Sequence, residues 1–245
     1  MTRLEPWFPN PGRKTGEVWF EGVDDLPLLI KFIFTSEKLS VQVHPDDEYA
    51  AKHHQSRGKT EMWHILAAEP GSRIAAGFRA PLSADQLKAA ALSGGIEELL
   101  EWFEARPGDT FFIPAGTVHA IGGGLVLCEI QQNSDITYRL YDYGRGRELH
   151  LDQAVAVSAR TSYPALQKPH GDVLVASRYF TTSKLAIDSP RRYVPRPDGF
   201  ELLIAIQGAG SIAGQPAKAG EAWHVPLGTS PFEIAGAMTL LRVVS

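Results

Sequence analysis

Apolar residues fall in short runs along most of the chain, and Gly, Pro, Asp or Ser bound most of these runs. Runs of this length, several rich in β-branched or aromatic residues, read as β-strands. The pattern predicts strands at Leu28–Phe34, Leu39–His44, Glu61–Ala67, Arg73–Gly77, Thr110–Ile113 and Leu125–Gln131. Between Ser83 and Glu104 the period changes. Leu87 and Ala91, then Ile96, Leu99, Leu100 and Phe103, recur at helical spacing, with Ser83 as a cap and Gly94-Gly95 as a break, which predicts two helices. A third helical stretch runs from Leu151 to Ala159, and the polar, proline-containing segment from Thr161 to Gly171 reads as a linker. Beyond it, Leu202–Ile206 and Met238–Val244 return to β-like runs. The expected class is all-β, with a small α-helical insertion.

An internal repeat sharpens this picture. Gly108-Asp-Thr-Phe-Phe-Ile-Pro114-Ala-Gly116-Thr-Val-His119 and Gly220-Glu-Ala-Trp-His-Val-Pro226-Leu-Gly228-Thr-Ser-Pro231 share the frame G-x5-P-x-G-x2. Each Pro-x-Gly follows a short apolar strand and suits a tight turn, because proline presets one backbone angle and glycine accepts a positive one. Two related β units follow. The first ends its repeat on an imidazole and the second on Pro231, so a metal-competent unit is expected over residues 1–160, with its helical insertion near 83–104. A degenerate unit without a metal site is expected over 172–245.

Charge and composition narrow the partners. Lys and Arg number 24 against 28 Asp and Glu, a net charge of −4, so no positive field recommends nucleic acid or an anionic membrane as a partner. A chain of 245 residues buries roughly 70% of its unfolded surface, enough for a core without disulfides. The single cysteine, Cys128, forms no intramolecular pair. The apolar stretch Leu26–Phe34 contains Pro27 and Lys31 and falls well short of the ~20 residues of a membrane helix. With no basic-then-apolar leader pattern at the start, these features point to a cytoplasmic protein.

Candidate chemistry lies in the first unit. Gln42 and His44 are two apart in a strand and share a face. Lys59 and Glu61 stand in the same relation at the start of the next strand, and His119 follows the Pro-x-Gly turn. Gln42, His44, Glu61 and His119 together offer two oxygens and two nitrogens. This thiolate-free set suits Zn²⁺, Mn²⁺, Fe²⁺ or Ni²⁺, with zinc the first choice, and an open position would fit a catalytic site. Taken singly, each is more often a hydrogen-bonded or surface residue. His64, three residues after Glu61, falls on the opposite face, and His53 and His54 sit in a polar, solvated stretch. Glu129 and Gln131 share a strand face, as Asp135, Thr137 and Arg139 do if that segment is extended. A buried Glu129 needs a partner: a cation, a substrate, or a structural salt bridge with Arg139.

At this level of detail the chain resembles the type I mannose-6-phosphate isomerases, zinc enzymes of the cupin superfamily. The Gly108–His119 frame resembles the second cupin motif, with Gly123 where Asn is common. Ser40-Val-Gln42-Val-His44-Pro-Asp-Asp resembles the first ligand segment of the family, Gly58-Lys59-Thr-Glu61-Met-Trp the second, and Glu129-Ile-Gln-Gln-Asn-Ser-Asp135-Ile-Thr-Tyr-Arg139-Leu-Tyr-Asp-Tyr its signature after the last ligand. The resemblance covers about residues 28–150 and implies two cupin (jelly-roll) units. It implies Gln42, His44, Glu61 and His119 as ligands of one divalent metal per chain, Lys59, Glu129 and Arg139 as catalytic residues, and Ser40 and Asp135 as substrate-binding positions.

The family reaction interconverts mannose 6-phosphate and fructose 6-phosphate by moving a proton between C1 and C2 through a cis-enediol. A phosphorylated hexose is therefore the expected partner, with Lys59 or Glu129 as base and Arg139 as a fixed positive charge. One departure is the short stretch around Lys14-Thr-Gly16-Glu17-Val-Trp19-Phe before Leu28. Relatives carry a longer region there, so part of the substrate wall is expected to be missing or supplied by a partner subunit. The competing expectations are a non-catalytic, metal-containing sugar-binding cupin, an isomerase of another sugar, and a metal-dependent dioxygenase, which leaves the Lys59 and Arg139 matches unexplained.

Overall fold

The computed structural model of the chain describes residues 1–7, 16–163 and 169–245. It is built mainly from antiparallel β-sheet, as the sequence pattern predicts, with four helices among the described residues. The chain divides into two compact units, Pro27–Leu166 and a unit joining Met1–Leu26 to Gln167–Ser245. The grouping of the first 26 residues differs from the expected 1–160 boundary. Thr2–Arg3 adds to the edge of the strand Glu221–Val225, and the Leu4 N–H donates to the Ala222 carbonyl at 2.9 Å. Lys14 and residues 164–168 of the expected linker lie outside the described residues.

Within Pro27–Leu166, one sheet runs in the order Leu28–Thr35, Leu125–Gln132, Glu61–Ala68, Thr110–Ile113. The other runs Tyr138–Tyr141, Val41–Val43, His119–Ile121, Arg73–Phe78, Leu100–Glu104. Side-chain alternation places Ile33, Ile65 and Leu127 on the same face as Lys31, Glu61, Trp63, Glu129 and Gln131. The apolar end of that face packs with Ile74, Ala76 and Ile121 of the second sheet, each full burial of an Ile or Leu contributing about 1.5–3 kcal/mol. One continuous interior is thus apolar at one end and polar at the other.

The opposite face of the second sheet explains the helical insertion. Val41, Val43, Ala120 and Leu140 pack there against Leu87 and Ala91 of the helix Ala84–Ser93, Ile96 of the single turn Ile96–Leu99, and Ala154 of the helix Leu151–Val157. Ser83 and Gln86 form a reciprocal capping box, and Gly94, at φ +81°, ends the helix in the left-handed region. The expected second helix is shorter than its periodicity implies. Residues Leu100–Glu104 form a strand instead, pairing Phe103 with Ile74 and Trp102 with Ala75, because the open edge of Arg73–Phe78 offers a ladder that outweighs local helical spacing. A helix absent from the sequence reading, Asp47–His54, is capped by Asp46, whose side chain accepts from the Tyr49 N–H.

The second unit has a sheet in the order Thr2–Arg3, Glu221–Val225, Glu201–Ile212, Phe232–Val244, Thr181–Ile187, Val173–Ala176. The repeat is visible in backbone detail. The Thr117 N–H donates to the Pro114 carbonyl at 3.1 Å and the Thr229 N–H to the Pro226 carbonyl at 3.2 Å. Gly116 (φ +84°) and Gly228 (φ +78°) hold the matching left-handed position in the two turns.

Candidate metal centre and active site

The polar end of the first interior is assembled from both sheets. On one, Gln42 of the strand Val41–Val43 lies between its ladder partners His119 and Arg139, so three neighbouring strands place these residues in a row. On the other, Glu61 pairs with Gln131, and Trp63 with Glu129, which pairs with Lys31 beyond it. His44 follows its strand directly, and its carbonyl accepts from the Gly116 N–H at 2.8 Å.

His44, Glu61 and His119 are fully buried, and one ligand atom from each lies within 4.8 Å of the others. Glu61 Oε1 is 3.6 Å from His44 Nε2 and 3.4 Å from His119 Nε2. The tautomers follow from the partners of the other nitrogens. His44 Nδ1 is 2.9 Å from the Ile136 carbonyl oxygen and His119 Nδ1 is 2.9 Å from the Thr117 carbonyl oxygen. A carbonyl only accepts, so each Nδ1 carries the proton and each Nε2 presents a lone pair to Glu61. Among the described residues, His44 Nε2 and both Glu61 oxygens have no hydrogen-bond partner. Buried groups of this kind are normally paired, and backbone-tethered imidazoles with converging Nε2 atoms are the arrangement that holds metals. The three residues fit a divalent cation. Gln42 lies against them differently: its Nε2 is 3.3 Å from His119 Nε2, and its Oε1 accepts from the Ser40 hydroxyl at 3.2 Å. Turning the carboxamide over brings Oε1 to the cluster, and Ser40 then accepts where it donated.

Burial lowers the affinity of His44 and His119 for protons, and the Lys59 charge acts in the same direction against the opposing pull of Glu61. Burial pushes the Glu61 carboxyl up, but the Lys59 ammonium, 3.3 Å away, and the two imidazoles hold it below the ordinary carboxylate range. Two neutral imidazoles beside an ionised carboxylate result. Lys59 is placed by its own backbone, whose N–H donates to the Pro45 carbonyl at 3.0 Å. The preceding Gly58 fits where a Cβ would lie 2.5 Å from the backbone of Asp46 and Asp47, so no other residue passes there without displacing Lys59.

Glu129 is buried, and of the partners open to it the structure provides a cation, Lys31, and not Arg139. Its Oε2 accepts from the Trp63 indole N–H at 2.8 Å, and its Oε1 lies 3.3 Å from Lys31 Nζ. Arg139 turns instead to the Glu148 carbonyl, to which it donates at 2.9 Å. Burial first and the charge of Glu61 second raise the Glu129 carboxyl above its ordinary range, against Lys31, Lys59 and Trp63. Ser40 is buried beside Gln42, whereas Asp135 is exposed in the loop before Tyr138, and the 135–137 segment is not a strand. His64 faces away from the cluster and bonds Thr110 Oγ1 at 2.9 Å. Arg145 and Arg147 are engaged by the buried carboxylate of Asp142. Sequence reasoning missed Lys31 and Trp63 as members of the interior; a lysine within an apolar run was the available signal for the first.

Three comparisons bear on identity. No family model matches the chain. Among curated proteins, it is 37% identical over 232 residues to mannose-6-phosphate isomerase ManA of Bacillus subtilis, spanning 87% of this chain and 73% of that protein. It is 40% identical over 199 residues to the mannose-6-phosphate isomerase of Streptococcus mutans, spanning 76% of this chain and 62% of that protein. Among solved structures, the mannose 6-phosphate isomerase from Bacillus subtilis superposes with a TM-score of 0.86 at 28% identity, covering 98% of both chains. Shared sequence over most of both lengths and a shared fold over nearly all of this one place the chain in the mannose-6-phosphate isomerase family.

Proposed function

We propose that the chain interconverts mannose 6-phosphate and fructose 6-phosphate through a cis-enediol, using one divalent cation, zinc by preference, in a cytoplasmic setting. The observation that carries this reading is the set of buried His44 and Glu61 atoms that, among the described residues, make no hydrogen bond and converge with His119 beside a second buried carboxylate. His44, Glu61 and His119 would hold the cation, with Gln42 as fourth ligand once its amide turns. A bound cation supplies polarisation of the sugar carbonyl and stabilisation of negative charge on its oxygen.

This chain's own residues supply the rest. Glu129 is the proposed base, moving the proton between C1 and C2, because its raised carboxyl titrates closer to neutrality than an ordinary glutamate. Lys59 is the weaker candidate: the Glu61 carboxylate 3.3 Å away favours its ammonium form, which serves as a donor to developing negative charge. Arg139 stays charged at any working pH and stabilises the enediolate. Ser40 and Asp135 are proposed as substrate contacts. The metal site belongs to the first unit, and the second, with Pro231 in place of the imidazole, has no such role.

The test is turnover. Metal-replete protein incubated with mannose 6-phosphate should form fructose 6-phosphate, and a chelated sample and Glu61→Ala should not. Absence of turnover with metal bound would refute the assignment of substrate.

A further inference from the structure

Gln131 is used by nothing above, yet it is completely buried on the catalytic face, as the ladder partner of Glu61. Paired residues on adjacent strands have Cβ atoms about 5 Å apart and side chains on the same side. The orientation of its amide is fixed. Nε2 donates to the Gln132 carbonyl at 3.0 Å and to the Ser134 carbonyl at 2.6 Å. The reverse orientation would set an oxygen against two carbonyl oxygens. Oε1 is therefore the free end, and among the described residues it has no hydrogen-bond partner. The amide is spent on one side and unsatisfied on the other, in an interior where an unpaired acceptor is costly.

We propose that Gln131 is a specificity-determining residue, its Oε1 accepting a hydrogen bond from a hydroxyl of the bound sugar phosphate away from the reacting C1 and C2. The inference rests on the isomerase reading above and adds to it the residue that reads the sugar. Among the described residues, Glu61 and Glu129 also present oxygens without hydrogen bonds, but both are charged and have proposed roles, Glu61 in the ligand cluster and Glu129, beside Lys31, as the base. Gln131 is neutral, so it can distinguish a hydroxyl from its absence without altering the charge of the site. A sugar lacking that hydroxyl leaves a buried acceptor unpaired, which is the strong form of discrimination available to a polar site.

The experiment compares kcat/KM for mannose 6-phosphate and its 3-deoxy and 4-deoxy analogues in metal-replete wild-type protein and in Gln131→Met, with metal content measured alongside. Wild type should lose about tenfold or more on one analogue. Gln131→Met should lose about tenfold on the parent sugar, mainly through KM, while treating the parent and that analogue within about twofold of one another. Wild-type rates equal on all three sugars would overturn the proposal without reference to any variant. It would equally fall if Gln131→Met lost the same factor on every sugar, the mark of a residue that only supports the turn at 132–134. Should Gln131→Met not fold, the wild-type comparison of the three sugars decides the proposal without it. Failure of wild type to turn over mannose 6-phosphate overturns the isomerase reading and this inference with it, whereas turnover without discrimination overturns this inference alone.

Discussion

Each unit buries a glutamate on an inward face, and the two are treated in opposite ways. Glu201 is fully buried and completely satisfied. Arg242 donates to both of its oxygens, at 2.6 and 3.2 Å, the Arg196 N–H donates to Oε1 at 2.7 Å, and the Tyr193 hydroxyl donates to Oε2. Glu61 is equally buried, and among the described residues neither oxygen accepts a hydrogen bond. Both carboxyls are held below their ordinary range against the cost of burial, Glu201 by hydrogen bonds and Glu61 chiefly by Lys59. A satisfied buried charge is a structural element, whereas an unsatisfied one in a well-packed interior is a site with unused binding capacity.

The comparison can be broken most directly at Glu61. Glu61→Gln should lose bound metal and lower kcat by about a thousandfold, and the metal-free protein should melt below wild type, since the buried Lys59 ammonium 3.3 Å away loses its counter-charge. Metal content by mass spectrometry and calorimetric melting decide this together; retained metal would remove Glu61 from the ligand set. Glu201→Ala should differ in the metal readout, costing about 3 kcal/mol by leaving Arg242 unpaired and leaving metal content per folded chain unchanged. An unaltered denaturation midpoint would show that the satisfied carboxylate is dispensable.

Acidification should separate the units more gently. His44 and His119 bind protons less readily in the fold than in the unfolded chain, so their contribution to stability is present above about pH 6.5 and lost as pH falls below it. Glu129, raised in the fold, works in the opposite direction above about pH 4.5, and Glu201 begins to count only below that value. The metal-free protein should therefore melt lower at pH 5 than at pH 7, and His44→Gln should flatten that slope; an equal slope in both proteins would contradict the burial of a neutral His44. The smallest effect is expected at Trp63. Trp63→Phe removes a donor from Glu129, so the acidic limb of kcat/KM should move to higher pH, with a loss of about threefold to tenfold at neutrality. An unmoved limb would dissociate Glu129 from the rate.

Much of the site was legible because it depends on local rules. Gln42 and His44 share a face by strand alternation, Lys59 and Glu61 adjoin, and the Pro-x-Gly frame sets His119 at the start of a strand. What escaped depends on pairing between distant segments. That Leu28–Thr35 lies beside Leu125–Gln132, giving Glu129 to Lys31 rather than to Arg139, follows from sheet order, which no single strand encodes. The helix Asp47–His54 escaped because only Ala50 is fully buried in it, leaving little apolar periodicity beyond its Asp46 cap. Leu100–Glu104 was misread because its apolar positions satisfy two periods at once, and the neighbouring edge decided between them.

The paired Pro-x-Gly turns carry one further consequence, for the order of events in the life of the chain. Both copies close with the same threonine-to-proline hydrogen bond, although only the first is followed by an imidazole. The turn that delivers His119 is thus closed by a backbone bond that its twin also makes without an imidazole to follow it. On the metal-dependent reading proposed above, a newly made chain would close this turn first and load the cation afterwards, so that supply of the metal would govern when the protein becomes competent and not whether the turn forms.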